Sequence, residues 1–493
     1  MFLPSQHPAA AEVSPVWSGK IFNGDWIDGQ GGAMDVVAPA TGQVIGTVGA
    51  ATPTDLDAAV ASAQAAQGEW AALPYDQRAK VFRTAAALLE AHPDRLADWL
   101  VPEAGSGAGK AGFEVFLVVS ELQQCAALTA EPYGELLRSF KPRLSLVRRV
   151  PLGVVGVISP FNFPAILSMR SVAPALAVGN AVVLKPDPRT SVSGGLALAE
   201  LFAEAGLPGG LLHVLPGGAD VGAALVDHPD VPCISFTGST VAGRAIASAA
   251  GPLLKKVHLE LGGNNALLVL PDADVDAAAS AGAWASFLHQ GQICMTAGRH
   301  LVPRHLVSEY VAKLADKAKN IPVGDPADPA NVLGPIIDAS QRDRVHDIVT
   351  RSVEQGARLV AGGSYDELFY QPTVLAEVPL DAPAFAEEIF GPVAPVAGYD
   401  TVDEAVDIIN ASEYGLSVAI LTGDTYGAIE LAGRIKSGAV HINDQTVDDE
   451  AVAPFGGTKA SGTGGRFGGK ASLDTFSDVQ WITAQEQIER YPF

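Results

Sequence analysis

Apolar and polar positions along the chain fall into two regimes. Between Pro53 and His92 apolar residues, many of them Ala, recur at helical spacing and predict two amphipathic surface helices. The first runs from Asp55 to Trp70 with acids near its start, the second from Asp76 to Ala91, where Pro93 stops it. From Val150 the pattern changes to short apolar runs alternating with Ala/Leu-rich stretches. Val154 to Ile158, Ala181 to Leu184, Leu211 to Val214 and Cys233 to Phe236 read as buried strands, with helices at Ala165 to Ala177, Ser191 to Glu204, Val221 to Val226 and Thr240 to Ala250. This alternation predicts an α/β fold with a parallel, doubly wound sheet and ligand sites at the carboxyl ends of its strands. A second alternating set begins after Gly262, with strands at Leu267 to Leu270, His300 to Val302, Pro395 to Tyr399 and Ala439 to Ile442, and predicts a second α/β unit. Leu144 to Arg149 and Val479 to Thr483 alternate like strands but have no helix beside them in sequence, so they are expected to pair with each other or with a partner subunit.

Composition narrows the function classes. A chain of 493 residues, 48% hydrophobic and 18% charged, can bury a large core and is long enough for two or three domains. Its net charge of -23 argues against nucleic-acid or acidic-membrane partners, which call for clustered Lys and Arg. Met1 to Trp17 holds Pro4, Pro8 and Pro15 and lacks the basic start and apolar run of a secretory signal. No stretch reaches about 18 uninterrupted apolar residues, so the expected location is cytoplasmic. The three cysteines, Cys125, Cys233 and Cys294, are spaced for neither a disulfide framework nor a CxxC metal site. Cys125 and Cys233 read as small buried apolar residues.

Cys294 is different, because it follows Gly291-Gln292-Ile293 in a loop beyond a helical run from Ala277 to Leu288. A thiolate there would be a strong nucleophile whose acyl product, a thioester, is readily hydrolysed. Glu260 ends an apolar run before Gly262-Gly263-Asn264. Flanked by Val257, Leu259 and Leu261, it is either a partly desolvated general base or an exposed carboxylate at a strand end. Asn162, in Ser159-Pro160-Phe161-Asn162-Phe163-Pro164, follows the strand ending at Ile158 and offers a neutral donor for an oxyanion, or simply a turn residue. Gly238-Ser239-Thr240-Val241-Ala242-Gly243 follows another strand and opens a helix, so Gly238, Ser239 and Gly243 suit a pyrophosphate, although no GxGxxG is present. Lys185 closes a third strand where a cation could meet ribose or phosphate oxygens, and Glu388 stands beside Phe390 and Gly391-Pro392. Gly105-Ser106-Gly107-Ala108-Gly109-Lys110 departs from a P-loop at Ala104 and Ala111 and reads as a plain loop. His258 and Glu260 imitate the HxE of zinc deaminases, but no CxxC accompanies Cys233, so no metal is expected.

In order and spacing these motifs make the chain resemble the aldehyde dehydrogenase superfamily over essentially its whole length. Pro160-Phe161-Asn162-Phe163-Pro164, Lys185-Pro186-Asp187-Pro188-Arg189-Thr190 and His441-Ile442-Asn443-Asp444-Gln445-Thr446 make it most similar to the bacterial benzaldehyde and vanillin dehydrogenase branch. The resemblance implies that Cys294 is the nucleophile, Glu260 the general base and Asn162 the oxyanion donor acting with the Cys294 backbone N–H. It implies cofactor contacts from Lys185, Ser239, Glu388 and Phe390, with Pro160 and Phe161 beside them. The implied fold has a nucleotide-binding domain (1–127 and 150–260), a catalytic domain (261–450) and a bridging β-element (128–149 and 470–493) that builds homodimers or homotetramers. The implied reaction is oxidation of a small aldehyde, taken to be aromatic, with NAD. Pro188 stands where many NAD-preferring relatives carry Glu, which leaves NADP open as well. Phe467 replaces a Glu that assists proton transfer in some relatives. Arg170 lies on a helix face that carries an aromatic residue in several; pairing with a neighbouring helix is favoured over an acidic substrate group. Two alternatives are a CoA-acylating semialdehyde dehydrogenase and a non-catalytic nucleotide-binding relative.

Overall fold

The computed structural model describes residues 16–493, so the expectation for Met1 to Trp17 falls almost wholly outside the described residues. Five parallel strands form the centre of the first sheet, in the order Lys256–Glu260, Cys233–Thr237, Val154–Ile158, Ala181–Lys185, Leu212–Val214; the hairpin Lys20–Asn23 and Trp26–Asp28 extends it antiparallel. Nearly every residue of Val154–Ile158 and Ala181–Lys185 is buried, because helices cover both faces and leave the strands no polar side. Of the five, Val154–Ile158 comes first in the chain yet lies third in the sheet. Winding therefore reverses between it and Cys233–Thr237, and such a reversal opens a crevice at the strands' carboxyl ends.

The predicted helices form with small shifts in their ends. Helix Pro53–Ala72 begins with a capping box in which Thr52 and Asp55 satisfy each other's backbone donors, and Pro53 occupies the first turn. Its Trp70 indole donates to Leu176 O at 2.8 Å, fixing it to helix Pro164–Ala177. Two expectations need correction. Ser191 to Glu204 is not one helix: a turn at Pro188–Thr190 leads into a wide turn at Val192–Leu196 before regular helix Ala197–Glu204. Any Cβ on Gly194 would press on Pro164, and one on Gly195 on Val214 and Pro186, so close backbone approach bends this segment. Nor is Gly105 to Lys110 a plain loop, for helix Ala108–Leu128 starts inside it. That helix is long and apolar enough to cross a membrane, but it packs among helices Tyr75–Ala91, Asp94–Ala104 and Pro164–Ala177 and buries Lys110, Glu114 and Glu121.

The second sheet runs Arg358–Ala361, Thr373–Ala376, Val393–Tyr399, Ala297–Pro303, Asn265–Val269, Ser417–Leu421, Ala439–Ile442, parallel throughout except for the first strand. Glu260 ends the edge strand of the first sheet, and five residues later Asn265 begins a central strand of the second. The two elements left without helices pair with each other: Leu144–Pro151 lies between Gly134–Leu136 and Ser477–Ala484, antiparallel to both, with Trp481 opposite Val147.

Candidate active site

Helix Val275–Phe287 ends shortly before three consecutive residues with left-handed backbone, His289 (φ 48°), Gln290 (φ 56°) and Gly291 (φ 65°). Two of these are not glycine, and each costs of order 1–3 kcal/mol, so the turn holds only because its surroundings fix it. The Gln290 amide donates to Gly105 O at 3.0 Å and Pro335 O at 2.9 Å, while Gln292 Oε1 accepts from Ile337 N at 3.0 Å. A Cβ on Gly291 would collide with the Gly391 carbonyl, so this position requires glycine for space as well as for φ. The loop then drives Ile293 and Met295 into the core of the first unit and leaves Cys294 between them half-buried. Cys125 and Cys233 are fully buried, and burial pushes the Cys233 thiol up to about 12. Cys294 is thus the one cysteine of the three that is not fully buried.

Asn162 reaches this loop from the other side. Its Nδ2 donates to Gln292 O at 2.8 Å, which uses one amide hydrogen and leaves the second for a ligand. The Asn162 turn is itself clamped by two side chains that sequence reasoning passed over. Lys110 Nζ donates to Asn162 O at 2.8 Å, pairs with Glu114 at 2.5 Å and lies 4.1 Å from the Phe163 ring centre. Glu114 in turn accepts from the backbone of Ala165 (2.8 Å) and Ile166 (3.1 Å), at the start of the next helix. The i, i+4 spacing of Lys110 and Glu114 was a visible signal, but their burial was not.

Glu260, at the carboxyl end of Lys256–Glu260, is 2% exposed, so the desolvated alternative holds. Its Oε2 accepts from Gly457 N at 3.2 Å, and Oε1 lies 3.4 Å from His258 Nε2. Burial pushes its carboxyl above the usual carboxylate range, opposed by His258, Arg466 and the Gly457 N–H. Burial also raises the Cys294 thiol, and the charges of Glu388, Glu260 and Asp449 raise it further.

The expected cofactor residues line the crevice where winding reverses. Pro160 and Phe161 follow Val154–Ile158; Gly238 and Ser239 follow Cys233–Thr237; Lys185 closes Ala181–Lys185, where burial lowers its pKa. Ser239 caps helix Thr240–Ala250 by accepting from Ala242 N at 3.2 Å, and the Thr240 and Val241 amides ahead of it have no carbonyl four residues back. The Gly238 N–H donates to Glu260 O at 3.0 Å, and Gly243 is buried where a Cβ would strike Leu261, so both positions also require glycine for close packing. Glu388 accepts from Gly263 N at 2.9 Å, and burial pushes its carboxyl up to about 7. Phe390 (φ 57°) sets its ring edge-on to Phe161 with centroids 5.9 Å apart. Arg189, beside Pro188, lies over Phe161 and is held by Asp187 (2.8 Å) and Asp338 (2.6 Å).

Arg170 pairs with Asp449 at 2.5 Å and lies 3.8 Å from Glu121 of the neighbouring helix Ala108–Leu128. The close partner thus lies in a loop rather than on the neighbouring helix, whose Glu121 stands farther off. Phe467 is fully buried with its ring 4.3 Å from that of His258.

Comparison with known proteins agrees with this geometry. The aldehyde dehydrogenase family profile matches residues 26–482. A vanillin dehydrogenase of Amycolatopsis sp. is 57% identical over 97% of this chain and 98% of its own length, and the benzaldehyde dehydrogenase [NAD(+)] of Pseudomonas putida is 49% identical over 97% and 99%. The NAD+ complex of an aldehyde dehydrogenase from Bacillus cereus superposes with a TM-score of 0.92 at 34% identity, covering 95% of this chain and 97% of that one. With a profile spanning nearly all of the chain and close relatives of equal length, the chain belongs to the aldehyde dehydrogenase family.

Proposed function

We propose that this enzyme oxidises an aromatic aldehyde of the benzaldehyde or vanillin type to the carboxylic acid, with NAD as hydride acceptor. The observation that carries the chemistry is the junction of three loops at which half-buried Cys294 meets Asn162, through the Gln292 carbonyl, and the desolvated Glu260. The substrate class rests on the relatives, which are named vanillin, benzaldehyde and salicylaldehyde dehydrogenases.

Cys294 sulfur attacks the aldehyde carbon, the thiol proton passes to solvent water as the C–S bond forms, and negative charge settles on the aldehyde oxygen. The second N–H of Asn162 Nδ2 and the backbone N–H of Cys294 donate to that oxygen. Bound NAD supplies the acceptor for the hydride lost by the adduct carbon. Glu260 takes a proton from water as the water oxygen attacks the thioester, releasing the acid and restoring the thiol. Lys185 and Glu388 provide a cation and a carboxylate for ribose and phosphate oxygens, Ser239 and the amides behind it a helix N-terminus for the pyrophosphate, and Pro160, Phe161 and Phe390 apolar walls. That donor set fits a dinucleotide. Arg189, neutralised by two carboxylates, offers little to a 2′-phosphate, which supports NAD over NADP.

The proposed domain bounds are 1–127 with 150–260, 261–450, and 128–149 with 470–493; the three main sheets support this division, although the strand Leu144–Pro151 runs two residues past the 149 bound. The last element is the proposed seam of a homodimer or homotetramer.

The test is stopped-flow NADH formation with benzaldehyde. Cys294→Ala is expected to give no NADH while NAD still binds. Glu260→Gln is expected to give one equivalent of NADH per site and then turn over ~10²-fold more slowly or worse. Undiminished turnover in Glu260→Gln would move the base elsewhere. A large rise in rate on adding CoA would favour thiolysis, against which the desolvated Glu260 stands. Silence of the unmodified enzyme toward every aldehyde would favour a non-catalytic relative.

A further inference from the structure

Glu260 has a buried polar neighbour that the reaction above does not use. His258 and Glu260 are two residues apart on one strand, so their side chains share a face. Both are 2% exposed. His258 Nε2 and Glu260 Oε1 lie 3.4 Å apart without being aligned as a hydrogen bond, and neither atom has a hydrogen-bond partner. Behind the imidazole, Nδ1 lies 3.2 Å from Ser235 Oγ, which is 2.9 Å from Ser171 Oγ. The Phe467 and Phe476 rings stand edge-on to the imidazole, and a Cβ on Gly465 would strike it, so water is kept from this side.

We propose that His258 is a positioning residue for the hydrolytic step, its Nε2–H directed at Glu260 Oε1 so that the carboxylate stays ionised and fixed in orientation; this rests on Glu260 being the base. When the Ser235 hydroxyl donates to Nδ1, the neutral imidazole must carry its proton on Nε2, the nitrogen facing the carboxylate. The hydroxyl pair supports the tautomer that can donate when Ser171 donates to Ser235 and Ser235 to Nδ1. A residue that merely filled space would not leave an unmatched nitrogen opposite an unmatched carboxylate oxygen in a dry pocket. The other charged or titratable groups acting on Glu260 are Arg466, Asp449 and Cys294. Arg466 Nη1 donates to the Gly457 (3.0 Å) and Gly465 (2.8 Å) carbonyls, and Asp449 is paired with Arg170, so of these side chains His258 is the one with an unmatched polar atom beside Oε1. Without it, burial acts on Glu260 with less opposition. The carboxylate then protonates at higher pH, and the acidic limb of thioester hydrolysis moves upward.

The experiment uses the full chain with benzaldehyde and NAD, following NADH by stopped flow between about pH 6 and pH 9, with thermal unfolding as a check on folding. For His258→Phe we expect one equivalent of NADH per site at the unmodified rate, then turnover ~10–100-fold slower, with the acidic limb raised by about one pH unit. His258→Gln, whose amide can still donate, should recover most of the rate. Ser235→Ala should shift the limb in the same direction by less. An unchanged pH profile in folded His258→Phe overturns the proposal, as does equal loss of the first equivalent and of turnover. If His258→Phe does not fold, an unchanged limb in Ser235→Ala overturns it. Glu260→Gln separates the two claims. If it stalls after one equivalent while folded His258→Phe behaves as the unmodified enzyme, His258 has no such role but Glu260 remains the base; if it turns over freely, the base itself is misassigned.

Discussion

The surroundings of Cys294 hold its thiol in the neutral form, since burial comes first among the causes and Glu388, Glu260 and Asp449 add like charge. A thiol pushed up in this way reacts slowly until its environment changes, which limits side reactions of the free enzyme. Without cofactor, alkylation of Cys294 by iodoacetamide should therefore keep accelerating as pH rises beyond ~8.5, the ordinary cysteine value. Glu388→Gln removes the largest of the three charge effects and lowers the thiol pKa. Alkylation near pH 8, above the value of about 7 at which Glu388 ionises, should then be several-fold faster. An unchanged rate, followed by mass spectrometry of the labelled peptide, would show that the sulfur does not feel this carboxylate. At this scale Cys294, Glu260 and Asn162 were legible because each chemistry needs a particular residue type next to a turn. Lys110 and His258 were not, since they act through partners that become neighbours only in the fold.

Two elements aim the chemistry: the left-handed turn before Cys294 and the helix Ala108–Leu128 that clamps Asn162. Lys110 and Glu114 form a buried pair in which each also bonds backbone of the Asn162 segment. Removing only the cation leaves a carboxylate in a dry site, at a cost of ~3–5 kcal/mol. Lys110→Met should lower the unfolding temperature and reduce kcat through a loosened Asn162, with little change in NAD binding. Wild-type kcat with lowered stability would make the clamp purely structural. Four strands of the first sheet were easy to predict, as uninterrupted apolar runs such as Val154–Ile158 have few other stable placements, whereas the hairpin Lys20–Asn23 and Trp26–Asp28 carries no such run. Helix Ala108–Leu128 was hidden because it is apolar nearly all round and shows no polar face to set a period. The wide turn at Val192–Leu196 was hidden because contact with Pro164 and Pro186, not local propensity, bends it.

Over the whole molecule, the reversal of strand order in the first sheet gathers the Pro160, Gly238 and Lys185 turns at one end, and the five-residue passage from Glu260 to Asn265 hangs the second sheet beside them. The bridging sheet leaves Ser477–Ala484 as a long open edge carrying exposed Val479 and Trp481, with Leu136 and Leu144 exposed on its partner strands. A long open edge with exposed apolar residues is a liability unless another chain covers it. Trp481→Glu should therefore reduce the mass measured by light scattering while the monomer stays folded; an unchanged mass would place the subunit contact elsewhere. The sequence by itself determined the alternation of strand and helix, the pairing candidates of the bridging strands and the three candidate reacting residues, because burial periodicity and chemical type are local properties. Only the tertiary structure decided that the Gly238 N–H closes on the Glu260 carbonyl, that Arg170 is held by Asp449, and that Lys110 and His258 stand behind Asn162 and Glu260. Those outcomes depend on which backbone atoms and carboxylates lie within about 3 Å across the fold, a distance that separation along the chain does not set.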